Sequence, residues 1–224
     1  MQEDWLKERN QVYLALYNCN PDFLNSDCDC DILAIDIETA KNNFPKTDKP
    51  VMICGEDFGP DFIRSLDREC IISYITEKTY KHILPAVIEG NHYAVLKTPI
   101  DINLAKELNI LATDMGLSRD RIIMNTDIGG LGYGYEYGYS IIEKIIQERE
   151  NDEYLNFPII SEASLESLKT KEAKSDQMSE SWGDLETRAQ MIELTSALGV
   201  IAAGTNITVL KNPQNVNIIK GLLK

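Results

Sequence analysis

Eight short apolar, β-branched runs recur along the 224-residue chain, and their spacing constrains the fold more than any single motif. They are VYLALY (12–17), DILAIDI (31–37), VMICG (51–55), CIISYI (70–75), YAVLKT (93–98), RIIMN (121–125), FPII (157–160) and ITVL (207–210). Runs that are apolar at consecutive positions suit strands covered on both faces. From the fourth run onward the gaps carry helical spacing: Ile83, Val87 and Ile88; Leu104, Leu108 and Leu111; Ile141, Ile142, Ile145 and Ile146; Met191, Leu194, Leu198 and Ile201. After the last run, Asn212 is placed as an N-cap and Pro213 at the first helical position. Strands alternating with helices predict a parallel sheet with helical cover. Eight such units predict closure into a (β/α)8 TIM barrel, α/β in class, forming a single domain over 1–224; a doubly wound open sheet is the alternative.

The early modules are thin. NCNPDFLNSDCD joins the first two runs and ETAKNNFPKTDK the next two, whereas a crossover with its helix takes about 10–12 residues. Reduced helices are therefore expected after strands one and two. The most polar stretch, 164–188, is expected to be a large loop at the top of the barrel. Barrels of this type carry function at the C-terminal ends of their strands, so that loop and the segment from Asn125 onward should share a face.

Charge and cysteine usage exclude several classes. The chain has 36 acidic and 22 basic residues, a net charge of -14. Such a surface disfavours nucleic acid and anionic membranes, which call for clustered Lys and Arg. The start, MQEDWLKERN, is charged where a signal peptide is apolar, and no stretch approaches the roughly 20 apolar residues of a membrane span, so a cytoplasmic location is expected. An odd number of cysteines, five, fits a reducing compartment. Cys54 and Cys70 lie in apolar runs and read as buried thiols. Cys19, Cys28 and Cys30 lack the paired spacing of zinc or iron–sulfur sites, and no metal site is assigned. His82 falls in an amphipathic run and His92 just before a strand, at the end away from the expected site. No catalytic residue is assigned.

The segment IIMNTDIGGLGYGYEYGYSIIEKI (122–145) passes from strand to helix through glycine and tyrosine. It is not a dinucleotide fingerprint: starting at Gly130 or Gly132, that pattern needs glycine at 135 or 137, and both positions are Tyr. The glycines permit a tight turn. Tyr133, Tyr135, Tyr137 and Tyr139 offer flat amphipathic surface for a macrocycle or a partner's loop, or else close the barrel mouth. Other polar residues at strand ends are Glu56, Asp57, Thr76, Glu77, Thr98, Asp101, Glu162 and Asn212. Asn125 and Asp127, an amide and a carboxylate one residue apart, match the donor–acceptor edge of a pterin. Lys169, Lys171 and Lys174 form a local basic patch suited to amide oxygens or a phosphate tail, or a solvated face.

Gly129 to Tyr137 followed by Ser140-Ile141-Ile142-Glu143-Lys144-Ile145 resembles the signature of the small (delta) subunit of the corrinoid iron–sulfur protein, the methyl carrier of the acetyl-CoA decarbonylase/synthase system. The resemblance continues in DINLAKELN (101–109), GLSRDRIIM (116–124), Pro158-Ile159-Ile160, KTKEAK (169–174), Trp182-Gly183-Asp184, Thr195-Ser196-Ala197, Ala203-Gly204-Thr205-Asn206-Ile207 and Asn212-Pro213. Two departures stand out. Asn125-Thr126-Asp127-Ile128 replaces the family's Asp-Pro-Thr-Thr, and the N-terminal part is shorter. The resemblance implies a barrel that forms a heterodimer with a large corrinoid iron–sulfur subunit. The corrinoid is then shared with that partner and not bound by the isolated chain, consistent with the absence of an Asp-x-His-x-x-Gly cobalt-ligand motif. Asn125, Thr126, Asp127, Gly130, Tyr133, Tyr135, Lys171 and Asn212 are the cofactor-facing candidates, and a folate methyltransferase is a further possible partner in one-carbon metabolism. The competing readings are a folate- or pterin-dependent methyltransferase-like barrel enzyme and an accessory relative of unknown function.

Overall fold

The computed structural model describes residues 11–18, 29–126 and 135–224. Among them are eight parallel strands: β1 (Tyr13–Tyr17), β2 (Ile32–Asp36), β3 (Val51–Cys54), β4 (Ile71–Ile75), β5 (Tyr93–Lys97), β6 (Ile122–Asn125), β7 (Ile160–Ser161) and β8 (Ile207–Leu210). Each pairs with its sequence neighbour from β1 to β6, β8 pairs with both β1 and β7, and the order never reverses. A bridge between Met124 and Ile159 closes the remaining seam, where the Met124 N–H donates to the Pro158 carbonyl at 2.8 Å. The result is the expected (β/α)8 barrel. The last seam is thin because Pro158 has no N–H to give to a ladder. For the same reason β7 is two residues long and starts at Ile160, later than the run 157–160 suggested.

Side chains alternate between two environments. Tyr13, Ala15, Ile32, Ala34, Met52, Ile71, Val95, Ile123, Ile160 and Val209 fill the barrel interior. The intervening residues, such as Leu33, Ile35, Ile53, Ile72, Leu96 and Met124, pack under the helices. Consecutive apolar positions in the sequence are therefore split between an inner and an outer core.

The helical cover is uneven. After β2 comes only α1 (Ile37–Asn42), opened by Asp36 accepting the Thr39 N–H at 2.6 Å, and after β3 only α2 (Pro60–Arg64). The connection after β1 falls at 19–28, outside the described residues. The thin wall thus extends one module further than the sequence suggested. Full helices follow: α3 (Tyr80–Glu89), α4 (Ile102–Asp114) capped by Asp101, and α5 (Tyr135–Glu148). The stretch expected as a loop over 164–188 is instead α6 (Ala163–Ser167), α7 (Lys171–Lys174) and a 3-10 turn at Glu180–Trp182. Arg188, buried, ties this excursion down by donating to the carbonyls of Glu172, Ser175 and Gly183. Asp184 caps α8 (Leu185–Ala203), which ends at Gly204 with φ 110°, and Asn212 caps α9 (Pro213–Leu222) as expected. No described helix is long and apolar enough to cross a membrane.

Candidate functional site

Four side chains meet at the C-terminal ends of β4 to β7. Lys97 and Asn125 are register partners at the ends of β5 and β6. Glu162 follows β7 directly and is 6% exposed. Tyr74 joins them because the β4–β5 register shifts between Ser73 and Ile75, and an irregularity of this kind re-aims a side chain that strict alternation would send outward.

The Tyr74 hydroxyl donates to Glu162 Oε1. Lys97 Nζ lies 4.0 Å above the Tyr74 ring and 3.9 Å from Glu162 Oε2, and Asn125 Nδ2 is 3.4 Å from the same oxygen. Burial and then the neighbouring Glu162 carboxylate push the Tyr74 phenol far above its usual range, so it is a protonated donor at neutral pH. The ammonium and the carboxylate offset each other's charge at a site closed to most solvent. Just beneath, Ser73 is fully buried and its hydroxyl finds no hydrogen-bond partner. Its register partners Cys54 and Val95 both face the interior, which places Ser73 on that face too. The mouth therefore combines a carboxylate, an amide, an ammonium over an aromatic ring and an orphaned hydroxyl. Such a set recognises a polar ligand by hydrogen bonds, and among the described residues it forms no group able to hold a metal ion.

The candidate residues separate under this geometry. Asn125 is in the cluster, and Thr126, 2% exposed, sits directly behind it. Asp127, Gly130 and Tyr133 lie outside the described residues. Tyr135 starts α5 but turns to α8: its hydroxyl donates to the Ser196 carbonyl at 2.7 Å, burial pushes its phenol up to about 12, and a Cβ on Gly199 would fall on that hydroxyl. It is a helix–helix contact, not a residue of the mouth. Lys171 is exposed on the first turn of α7. Asn212 serves the fold, its side chain accepting the Gln214 N–H at 2.9 Å and its own N–H donating to Glu193. Burial raises the Glu193 carboxyl above its usual value, against the pull of the donors around it.

Of the remaining strand-end residues, Asp101 caps α4 and Thr76 shapes the turn into α3 through Thr79. Glu56 and Asp57 are exposed. Glu162, one acid among many in the sequence, is the group on which the mouth is organised. Tyr74 and Lys97 were missed. Lys97 had a usable signal, because positions 93, 95 and 97 share the inward parity of β5 and a lysine there must face the barrel axis.

Fold and mouth together define a (β/α)8 barrel with a polar ligand-facing centre at its C-terminal end. Solved structures of similar shape include dihydropteroate synthase from Thermus thermophilus, with a TM-score of 0.67 at 14% identity over 98% of this chain and 96% of that one. The Xanthomonas albilineans dihydropteroate synthase in complex with 7,8-dihydropteroate gives 0.64 at 13% over 95% and 94%. At these identities the likeness is one of fold. Sequence is more specific: residues 28–217 match the CO dehydrogenase/acetyl-CoA synthase delta subunit family (CdhD), and the chain belongs to that family. Relatives include the acetyl-CoA decarbonylase/synthase complex subunit delta of Methanocaldococcus jannaschii, 27% identical over 70% of this chain and 38% of the relative. Subunit delta 2 of Methanosarcina acetivorans is 32% identical over 63% of this chain and 34% of its own length. The match thus spans between a third and two-fifths of these relatives.

Proposed function

We propose that this chain acts as one barrel domain in a cytoplasmic corrinoid-dependent methyl-transfer complex of acetyl-CoA synthesis or decarbonylation, docking a corrinoid-bearing large subunit on its C-terminal face. The observation that carries this reading is membership of the delta subunit family across 28–217. The surface supports it. Tyr137, Trp182 and Leu185 are 51%, 53% and 38% exposed, and all lie at or near the N-terminal ends of α5 and α8. In a barrel, those helix ends stand on the same side as the strand C-termini. Exposed apolar and aromatic area on an acidic chain favours a partner over solvent.

The residues present fit a corrinoid resting on the mouth and not in it. The interior is filled by side chains such as Tyr13, Met52 and Ile123, and Tyr74 with Glu162 closes its centre. A large macrocycle would find flat aromatic surface at Tyr137 and Trp182 and a donor at Lys171. When bound, the corrinoid supplies the methyl-carrying chemistry. This chain's residues supply an apolar seat, hydrogen bonds to amide side chains and exclusion of water. Co-elution of the chain with a purified corrinoid iron–sulfur large subunit tests the reading.

A second reading rests on Asn125 and Glu162 lying side by side: a pterin site of the chain's own, as in a folate-dependent methyltransferase. An amide beside a carboxylate can read a pterin's donor–acceptor edge, and a solved neighbour of this fold holds such a ligand. Calorimetry separates the two, because a pterin site would bind methyltetrahydrofolate without a partner and lose it on Asn125→Ala.

A further inference from the structure

We propose that Tyr74 takes the place of a ligand on Glu162, keeping the mouth latched until a neutral nitrogen heterocycle with two adjacent N–H donors displaces its phenol. This latch presupposes the second reading, a ligand site of the chain's own. Tyr74 is partly exposed, whereas Ser73 beneath it is fully buried. The ring is thus a cover over the floor of the mouth. It is held at two points, by its hydroxyl on Glu162 Oε1 and by Lys97 Nζ, 4.0 Å above the ring. Both holding groups stand at strand ends of the mouth.

The Ser73 hydroxyl is the group that calls for a ligand. It faces the interior and has no hydrogen-bond partner, and a buried hydroxyl left unpaired costs free energy that a ligand atom would recover. Cys54, its register partner on β3, is also small, so a ligand atom that takes the ring's place can approach the hydroxyl. Glu162 decides the edge that the ligand presents. Oε1 carries the phenol, while Oε2 faces Lys97 at 3.9 Å and Asn125 Nδ2 at 3.4 Å. A bidentate donor pair needs both oxygens, so it binds only when the phenol leaves Oε1. Charge decides the rest. The carboxylate is already balanced by the Lys97 ammonium at a site closed to most solvent, and an added cation would be left unpaired there. A ring N–H beside an exocyclic amino group, as in isocytosine, is a neutral edge of the required kind.

Calorimetric titration of the full chain with methyltetrahydrofolate, whose ring carries this edge, tests the latch. Tyr74→Phe keeps the ring but frees Oε1, and it should bind about tenfold tighter than wild type, because the open fraction no longer limits the affinity. A phenol that touched the ligand would give the opposite sign, and one that served only the fold would give no change. Tyr74→Phe binding no more tightly than wild type, while Asn125→Ala still abolishes binding, overturns the latch and leaves the pterin site standing. Binding to neither chain overturns both. Isocytosine should compete for Tyr74→Phe, whereas acetamidinium, a cation with paired donors, should not, and competition by acetamidinium overturns the neutral ligand class. Ser73→Ala decides the matter should Tyr74→Phe fail to fold. Deleting an unpaired hydroxyl should leave the Tm unchanged and weaken binding several-fold. A lower Tm with unchanged affinity makes the hydroxyl structural and overturns the proposal.

Discussion

The Tyr74 hydroxyl donates to the Glu162 carboxylate, joining the end of β4 to the residue after β7 across 88 positions of sequence. The bond spans the mouth, and Glu162 also has Lys97 and Asn125 beside it. Tyr74→Phe removes a donor from a buried acceptor and should cost about 1–3 kcal/mol. Glu162→Ala should cost more, because it strips Lys97 and Tyr74 of their common partner at once. Urea unfolding measures both. Equal stability of Tyr74→Phe and wild type would mean that the bond is not formed in solution.

Tyr135 makes a separate prediction. Its hydroxyl is held by the Ser196 carbonyl and its ring rests against Gly199. Tyr135→Phe should lose about 1 kcal/mol, the net worth of one hydrogen bond. Gly199→Ala should lose about 1–3 kcal/mol by overpacking, since the new methyl displaces the ring. Tyr137→Ala, at a side chain half exposed, should be nearly silent in the same assay. A silent Gly199→Ala would show that α5 and α8 are not packed as described.

His92 predicts a pH dependence. It is 1% exposed, its Nδ1 accepts the Cys70 N–H at 3.2 Å, and burial holds its pKa below the ordinary 6.5. The unfolded chain takes up a proton as pH falls through 6.5 while the folded chain does not. Its contribution is therefore fully present above that value and is lost as pH falls through it toward the folded value. Denaturant midpoints should decline across this window, less steeply in His92→Gln. NMR should show His92 taking up its proton at a lower pH than a free imidazole does. An imidazole titrating at its free value contradicts the burial.

Much of the barrel was legible because strands buried on both faces leave continuous apolar runs, and all eight were readable on that basis. What was not legible had local causes. Pro158 shortened β7 by withholding an N–H, and Arg188 folded the polar stretch 164–188 into short helices through bonds to three carbonyls, which no periodicity announces. In the mouth, Asn125 and Glu162 were visible as strand-end residues, whereas Lys97 was missed although its parity on β5 was there to be read. Tyr74 was hidden, since its inward turn depends on an irregularity in pairing with β5. Tyr135 misled because an aromatic beside glycines reads the same whether it faces a ligand or a neighbouring helix.

The central claim is tested most directly by sedimentation or calorimetric titration of the purified chain with a corrinoid iron–sulfur large subunit. The account predicts a one-to-one complex, weakened at least tenfold, about 1.4 kcal/mol, by Tyr137→Ala combined with Lys171→Glu, with the melting temperature of the isolated chain little changed. Failure to form any complex, together with tight binding of methyltetrahydrofolate by the isolated chain that Asn125→Ala abolishes, would contradict it and make the mouth an active site in its own right.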